Sequence, residues 1–309
     1  MGAHMKVRFW GVRGSIPSPG AKTQKYGGNT ACIELRVGAE DRLVIIDAGS
    51  GIRSLGNSMM ASDLPKGPIK ADIFLSHTHW DHIMGYPFFT PIYIPGTTLK
   101  VHGPVSFEDD PLEEVVGGQM KYRYFPVNLG ELASEIEYIR LKEAPSIDLG
   151  NGLHLSTKLL NHPITALGYR FTYDGKAVCT CYDTEPFRNL FITDPNHPDY
   201  DEAMAFEGAE VAAEQNLAVE QFFAGADLLI HDAQYTAAEY GSRINWGHTA
   251  MEYAIAAANR AGVKKLALFH HDPDRFDATL DELSAIYCEP GKFGNTEVFF
   301  AREGMEIDL

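Results

Sequence analysis

Long apolar runs are missing from this 309-residue sequence. None approaches the ~20 residues that a membrane-spanning helix needs, so no membrane partner is expected. No secretory signal is read either, because Lys6, Arg8, Arg13 and two glycines break up the first apolar residues. Met1-Gly2-Ala3-His4 reads as a cloning remnant and Met5 as the natural start. Cysteine is scarce, with only Cys32, Cys179, Cys181 and Cys288. Without a signal, reduced thiols and a cytoplasmic setting are the default. Cys179 and Cys181 alternate in a strand-like run, and a zinc ribbon would need a second pair. Cations are in deficit: 26 Lys and Arg against 42 Asp and Glu give a net charge of −16. Phosphate-backbone binding usually shows as a basic face. The expectation is therefore a small substrate and no long nucleic acid, although bound divalent metals would make one pocket locally positive. Neither a Pro/Gly linker nor an internal repeat divides the chain, so 5–309 reads as a single domain. Nothing in the sequence decides the oligomeric state, and a homodimer stays open.

What is present is a series of short apolar runs mixed with helical patterns. Strands are expected at 6–10, 32–37, 43–47, 71–75, 99–102, 153–159, 167–173, 177–181, 227–231, 265–269 and 297–301. Helices are expected at 51–60, 203–224, 249–261 and 278–287. Runs of consecutive strands between helices point to an α/β sandwich of two packed sheets with helices outside. The segment 108–149 is the least regular and is a candidate lid. It carries four cations, Lys121, Arg123, Arg140 and Lys142, against ten carboxylates. Thr249-Ala250-Met251-Glu252 fits a capping box, which would start a helix at Thr249 and leave His248 just before an anion-favouring N-terminus.

The chemistry concentrates after the fourth expected strand, in Ser76-His77-Thr78-His79-Trp80-Asp81-His82. Such a loop can turn His77 and His79 toward one metal and Asp81 and His82 toward another. Imidazole with carboxylate suits zinc, manganese or iron. A polar loop of satisfied histidines would explain one His, not this set after an apolar strand. His162, Asp183 and His270 each fall just past another apolar run, as convergence on one sheet edge requires. His271 competes with His270.

This set resembles the metallo-β-lactamase superfamily, whose fold is a four-layer αββα sandwich. The resemblance implies two divalent ions, zinc first. It assigns His77, His79 and His162 to one ion and Asp81, His82 and His270 to the other, with Asp183 bridging. Asp47, in Ile46-Asp47-Ala48-Gly49, resembles the family's structural Asp and would brace the loop. His231-Asp232-Ala233-Gln234 and Trp246-Gly247-His248-Thr249-Ala250 resemble paired motifs of the ribonuclease Z branch and its smaller phosphodiesterase relatives. So do Gly11–Pro17 and Tyr26–Thr30, and the resemblance spans nearly the whole chain. It implies that His248 meets the phosphate and assists the leaving oxygen, steadied by Asp232, while Asp81 orients or deprotonates water.

One departure from ribonuclease Z stands out. Only 21 positions separate His162 from Asp183, too few for the basic tRNA-gripping arm of the bacterial enzymes. The resulting expectation is a metal-dependent hydrolase of small phosphodiesters, cyclic nucleotides first. Ser15, Asn29, Tyr86 and His248 would bind substrate, and the aromatic stretch 86–91 would wall the pocket. Three alternatives remain: a tRNA 3′-end endonuclease without the usual arm; a thioesterase, lactonase or lactamase, where His248 would meet no phosphate; and a metal-binding signalling module, against which the intact ligand set counts. The end of the chain at Leu309, with no flavodoxin-like segment, counts against a flavodiiron type.

Overall fold

The computed structural model describes residues 5–309; the reading of Met1–His4 as a remnant lies outside them. Chain order is β1 (Met5–Gly11), β2 (Cys32–Val37), β3 (Arg42–Ile46), α1 (Ile52–Ser62), β4 (Lys70–Phe74), α2 (Trp80–Ile83), β5 (Thr98–Pro104), α3 (Leu112–Gly117), β6 (Glu135–Leu141) and β7 (Ala144–Asp148). It continues with β8 (His154–Leu160), β9 (Ala166–Tyr173), β10 (Lys176–Cys181), α4 (Glu202–Phe222), β11 (Leu228–Asp232), α5 (Ala237–Tyr240), α6 (Met251–Arg260), β12 (Lys265–Phe269), α7 (Asp277–Tyr287), β13 (Glu297–Phe300) and β14 (Glu306–Asp308). Two seven-stranded sheets result, ordered β14-β1-β2-β3-β4-β5-β6 and β13-β12-β11-β10-β9-β8-β7.

Side-chain periodicity assigns the layers. Along β1, Met5, Val7 and Phe9 point into the core between the sheets while Lys6, Arg8 and Trp10 alternate outward. β2, β9, β10 and β12 complete that central core with Ile33, Phe171, Val178 and Phe269. On the outer face of the first sheet, α1 presents Ile52, Leu55, Gly56 and Met59, the one-face spacing of a packed helix. On the outer face of the second, α6 buries Met251, Ala254, Ile255 and Ala258, together with α7. Cys179 and Cys181 lie in this outer core and are free thiols. Four layers, helix–sheet–sheet–helix, are the outcome. Among the described residues no helix is long and apolar enough to cross a membrane.

Strands β3 to β6 run parallel, as do β10 to β13. Their carboxyl ends share one edge of the sandwich, the place where open α/β sheets build sites. Three strands escaped the periodicity reading. β6 alternates, but with Glu135, Glu137 and Arg140 outward, so its sequence looks polar. β7 contains Pro145 and is an edge strand, where a missing N–H is tolerated. β14 has only three residues. Residues 135–148 are thus the two sheet edges and the crossing between the sheets, and α3 packs Leu112 and Val116 under the first sheet. That accounts for much of 108–149 as scaffold rather than lid.

Candidate metal centre

The chain leaves β4 and turns at once into Ser76–His82. Asp47, one residue past β3, receives Ser76 N–H at 2.6 Å and Ser76 Oγ–H at 2.8 Å, and lies 2.7 Å from His82 Nδ1. This carboxylate ties the start and end of the loop together. Asp47, Asp183 and His270, each one or two residues past a strand, all take left-handed backbone conformations, with φ of 60°, 37° and 63°. Non-glycine residues rarely do so, and such strain persists only where surroundings impose it.

The side chains converge as expected from the sequence. Donor atoms of His77, His79, His162 and Asp183 lie within 4.8 Å of one another, and so do those of Asp81, His82, Asp183 and His270. His79 Nδ1 is 3.0 Å from His162 Nε2, and His77 Nε2 is 3.5 Å from Asp183 Oδ2. His82 Nε2 and His270 Nε2 lie 3.2 and 3.1 Å from Asp183 Oδ1, so Asp183 faces both groups. His271 is directed elsewhere: its Nε2 donates to Ala301 O at 2.7 Å, and burial drives its imidazole down to about 3. His270, not His271, belongs to the cluster.

Three features fit this donor set to cations. The outward ring nitrogens are tied: His82 Nδ1 to Asp47, His162 Nδ1 to Gly247 O at 3.1 Å, and His270 Nδ1 to Gln234 Oε1 at 3.2 Å. That bonding leaves each Nε2 as a bare lone pair facing inward, the arrangement metal ligands need. His77 Nε2, His82 Nε2 and Asp183 Oδ1 are buried without a hydrogen bond, which is costly unless something else satisfies them. Burial also lowers His77, His79 and His162, the last to about 4, so those rings are neutral and competent to ligate. His82 is the exception. Burial opposes its charge, but Asp183, Asp81 and Asp47 outweigh burial and raise it, a sign of uncompensated negative charge that bound cations would neutralise.

Beside the cluster sits His248, stacked on His270 with centroids 4.9 Å apart. Asp232 Oδ2 is 2.7 Å from His248 Nδ1, and Asp232 Oδ1 accepts Thr249 N–H at 2.7 Å. Burial pulls the His248 imidazole down, but Asp232 outweighs it and pushes it up to about 9. The expected capping box does not form. Ala250 pairs with Tyr235 in an isolated bridge, the Thr249 hydroxyl donates to Thr184 O, and α6 begins at Met251. The helix N-terminus therefore offers His248 no anion seat; Asp232 has already claimed the Thr249 N–H.

The substrate-binding expectations fare unevenly. Ser15 does reach the site: its N–H donates to Asp81 Oδ2 at 2.7 Å, and its side chain is exposed. Asn29 does not present a free amide, because Glu303 binds its N–H and Nδ2 at 2.6 and 3.0 Å and Ser50 Oγ–H donates to its Oδ1. Tyr86 is fully buried among α1 and sheet residues, with its hydroxyl on Tyr138, so it is core and not pocket wall; Phe89 is also core. Sequence reading missed Glu185. It accepts Asn245 N–H, Gly247 N–H and Tyr240 O–H, which pins the loop carrying His248. Its position two residues after Asp183 was the only available signal. Gly247 is obligatory for the same loop: its φ is +81°, and a Cβ would lie 2.3 Å from His162 Nδ1.

No family model matches the chain. Ribonuclease Z of Synechococcus sp. (strain CC9311) is 25% identical, covering 99% of each chain. Ribonuclease Z of Lactococcus lactis subsp. lactis (strain IL1403) is 28% identical, covering 86% of this chain and 88% of its own. Among solved structures, the metallo-β-lactamase fold protein YhfI from Bacillus subtilis superposes with a TM-score of 0.64 at 18% identity over the whole of both chains. Human tRNase Z, short form, gives 0.60 at 19% identity over 98% of each. The fold is the metallo-β-lactamase fold, and the His/Asp set converges within it. In sequence the chain is similar to ribonuclease Z over most of its length.

These relatives correct one expectation. A ribonuclease acts on RNA, so the exclusion of long nucleic acid does not stand. The inference failed because net charge sums the whole surface, whereas a nucleic acid meets one face, and there the site would hold its own cations.

Proposed function

We propose that this chain is a metal-dependent phosphodiesterase that cleaves RNA at a 3′ end, the tRNA 3′-end endonuclease reading. The His248–Asp232 pair beside the two-part His/Asp cluster carries the proposal. A thioesterase or lactonase has no use for a second, carboxylate-held imidazole outside the ligand set, whereas a phosphodiester has an alkoxide to expel.

Two divalent ions, zinc first and manganese or iron as alternatives, would be held by His77, His79 and His162 and by Asp81, His82 and His270, with Asp183 between them. When bound they supply Lewis acidity to the phosphoryl oxygens and acidify water. The chain's own groups do the rest. Burial would raise the Asp81 carboxyl, but His82 and His270 outweigh it and hold it far below the usual range. Asp81 would orient or deprotonate the water, and the Ser15 N–H fixes the carboxylate's angle. Asp232 holds His248 by Nδ1, leaving Nε2–H to donate to the departing oxygen.

A second reading, a small cyclic phosphodiester, draws on the tight β9–β10 hairpin. There Tyr173 pairs directly with Lys176 around Asp174-Gly175, with no extended arm. The deciding experiment compares kcat/KM for pre-tRNA and for 2′,3′- and 3′,5′-cyclic nucleotides under identical metal and salt. Efficient trailer removal supports the proposal. Turnover of cyclic nucleotides alone replaces it with the second reading, and turnover of neither removes the phosphodiesterase reading altogether.

A further inference from the structure

The loop that delivers His248 carries a cation the mechanism does not use. The Arg243 guanidinium lies 5.1 Å from the Tyr235 ring centroid and 5.1 Å from that of Trp246. Tyr235 in turn meets His248 edge-on at 6.0 Å. Arg243 is partly exposed and forms no ion pair among the described residues, although the chain has a large excess of carboxylates. By contrast Arg36, Arg42, Arg140, Arg260 and Arg275 are each paired with Asp or Glu. Trp246 is 57% exposed, so Arg243 covers part of the indole and leaves the rest to solvent. Arg243 shares one hydrogen bond with the Tyr235 side chain, and the remaining donors of its fork suit a phosphate. An exposed indole next to it suits a base.

We propose that Arg243 and Trp246 form a subsite for the nucleotide on the leaving side of the scissile bond. Arg243 grips that nucleotide's own phosphate and Trp246 stacks on its base. The side follows from His248, which stands one ring away and protonates the leaving oxygen. This rests on the phosphodiesterase reading and deepens it: the substrate carries a second phosphate beside the one that is cut, as an RNA strand does and a cyclic mononucleotide does not. Both residues are positioning residues, since neither touches the reacting phosphorus. Glu185 fixes the backbone on either side of Trp246, so the subsite and His248 move as one piece.

The test uses adenosine 3′,5′-bisphosphate, which has two phosphates and no diester to cleave, against adenosine 3′-monophosphate, which lacks the phosphate assigned to Arg243. Affinity for the metal-loaded protein is read by tryptophan fluorescence. The wild type should bind the bisphosphate at least tenfold more tightly, with quenching that disappears in Trp246→Phe. Arg243→Ala should erase that preference while weakening the monophosphate far less, and Arg243→Lys should restore part of it. The salt dependence of bisphosphate affinity should also weaken in Arg243→Ala, because one charge contact to phosphate is lost. A purely structural Arg243 would weaken both ligands equally and leave the salt dependence alone. That result, or a preference surviving in Arg243→Ala, overturns the inference. If the wild type binds the bisphosphate this way yet hydrolyses no phosphodiester, the proposed function fails while the subsite stands.

Discussion

Asp232 and His248 form one unit: a single carboxylate lies 2.7 Å from His248 Nδ1 with one oxygen and takes the next residue's N–H with the other. The imidazole is thus fixed in both tautomer and direction. His248→Ala should keep its metal, because no assigned ligand is removed, and should slow hydrolysis of phosphodiesters with alkoxide leaving groups by ~10²–10⁴-fold. The deficit should shrink for a nitrophenolate ester, which departs unprotonated. Equal deficits on both would show that His248 only binds phosphate.

Metal stoichiometry follows from Asp183. Elemental analysis of protein purified without chelator should find two ions per chain. Asp183→Ala should lose both, since Oδ1 faces His82 and His270 while Oδ2 faces His77. His162→Ala should lose one. Reproducibly less than one ion in the wild type, with no gain on reconstitution, would defeat the dinuclear arrangement.

Asp47 is assigned to neither ion yet braces the loop that supplies four ligands. Asp47→Ala frees Ser76 N–H and releases His82 Nδ1. Metal affinity should fall about 10–100-fold, the usual cost of removing such a support. Competition with a chromogenic chelator measures it. An unchanged affinity would mean that the loop holds its shape alone.

Acid stability has a contributor far from the site. Burial would raise the Asp72 carboxyl, but His102 Nε2 at 3.2 Å and Arg42 Nη2 at 2.8 Å outweigh it and hold it below its ordinary value. A carboxyl lower in the folded state than the ~3.9 of the unfolded chain stabilises above that value and ceases to as pH falls through its folded pKa. Asp72→Asn should therefore cost ~1–3 kcal/mol at neutral pH. The gap to wild type should narrow as pH drops below about 4. Denaturant melts at several pH values check this, and a gap that persists into acid contradicts it.

Much of this was legible in advance because strand ends are legible. An apolar run that stops at His, Asp or His places those residues on one edge once the strands are parallel, which is how His162, Asp183 and His270 could be grouped with His77–His82. Contacts between residues distant in sequence were not legible. Tyr86 lies in an apolar stretch that suits a pocket wall and a core equally; only the approach of Tyr138 from β6 decides it. Thr249 has a capping-box sequence, but Tyr235 holds Ala250 extended and Asp232 takes the N–H, so tertiary contacts override the local preference. Glu185 acts on backbone groups 60 and 62 positions away, and no local pattern announces that.

The proposed ligands come from both halves of the sandwich. His77, His79, Asp81 and His82 follow a strand of the first sheet, and His162, Asp183 and His270 follow strands of the second. A cation held by this set is a rivet across the seam, not an ornament on one wall. Neither half expressed alone could assemble the coordination sphere, and a chain whose sheets have not yet docked has nowhere to capture its ions. Loading thus reports on completed assembly. Conversely, stripping the ions should loosen the two sheets' grip on each other at this edge first, so early proteolytic nicks in chelated protein belong around the seam.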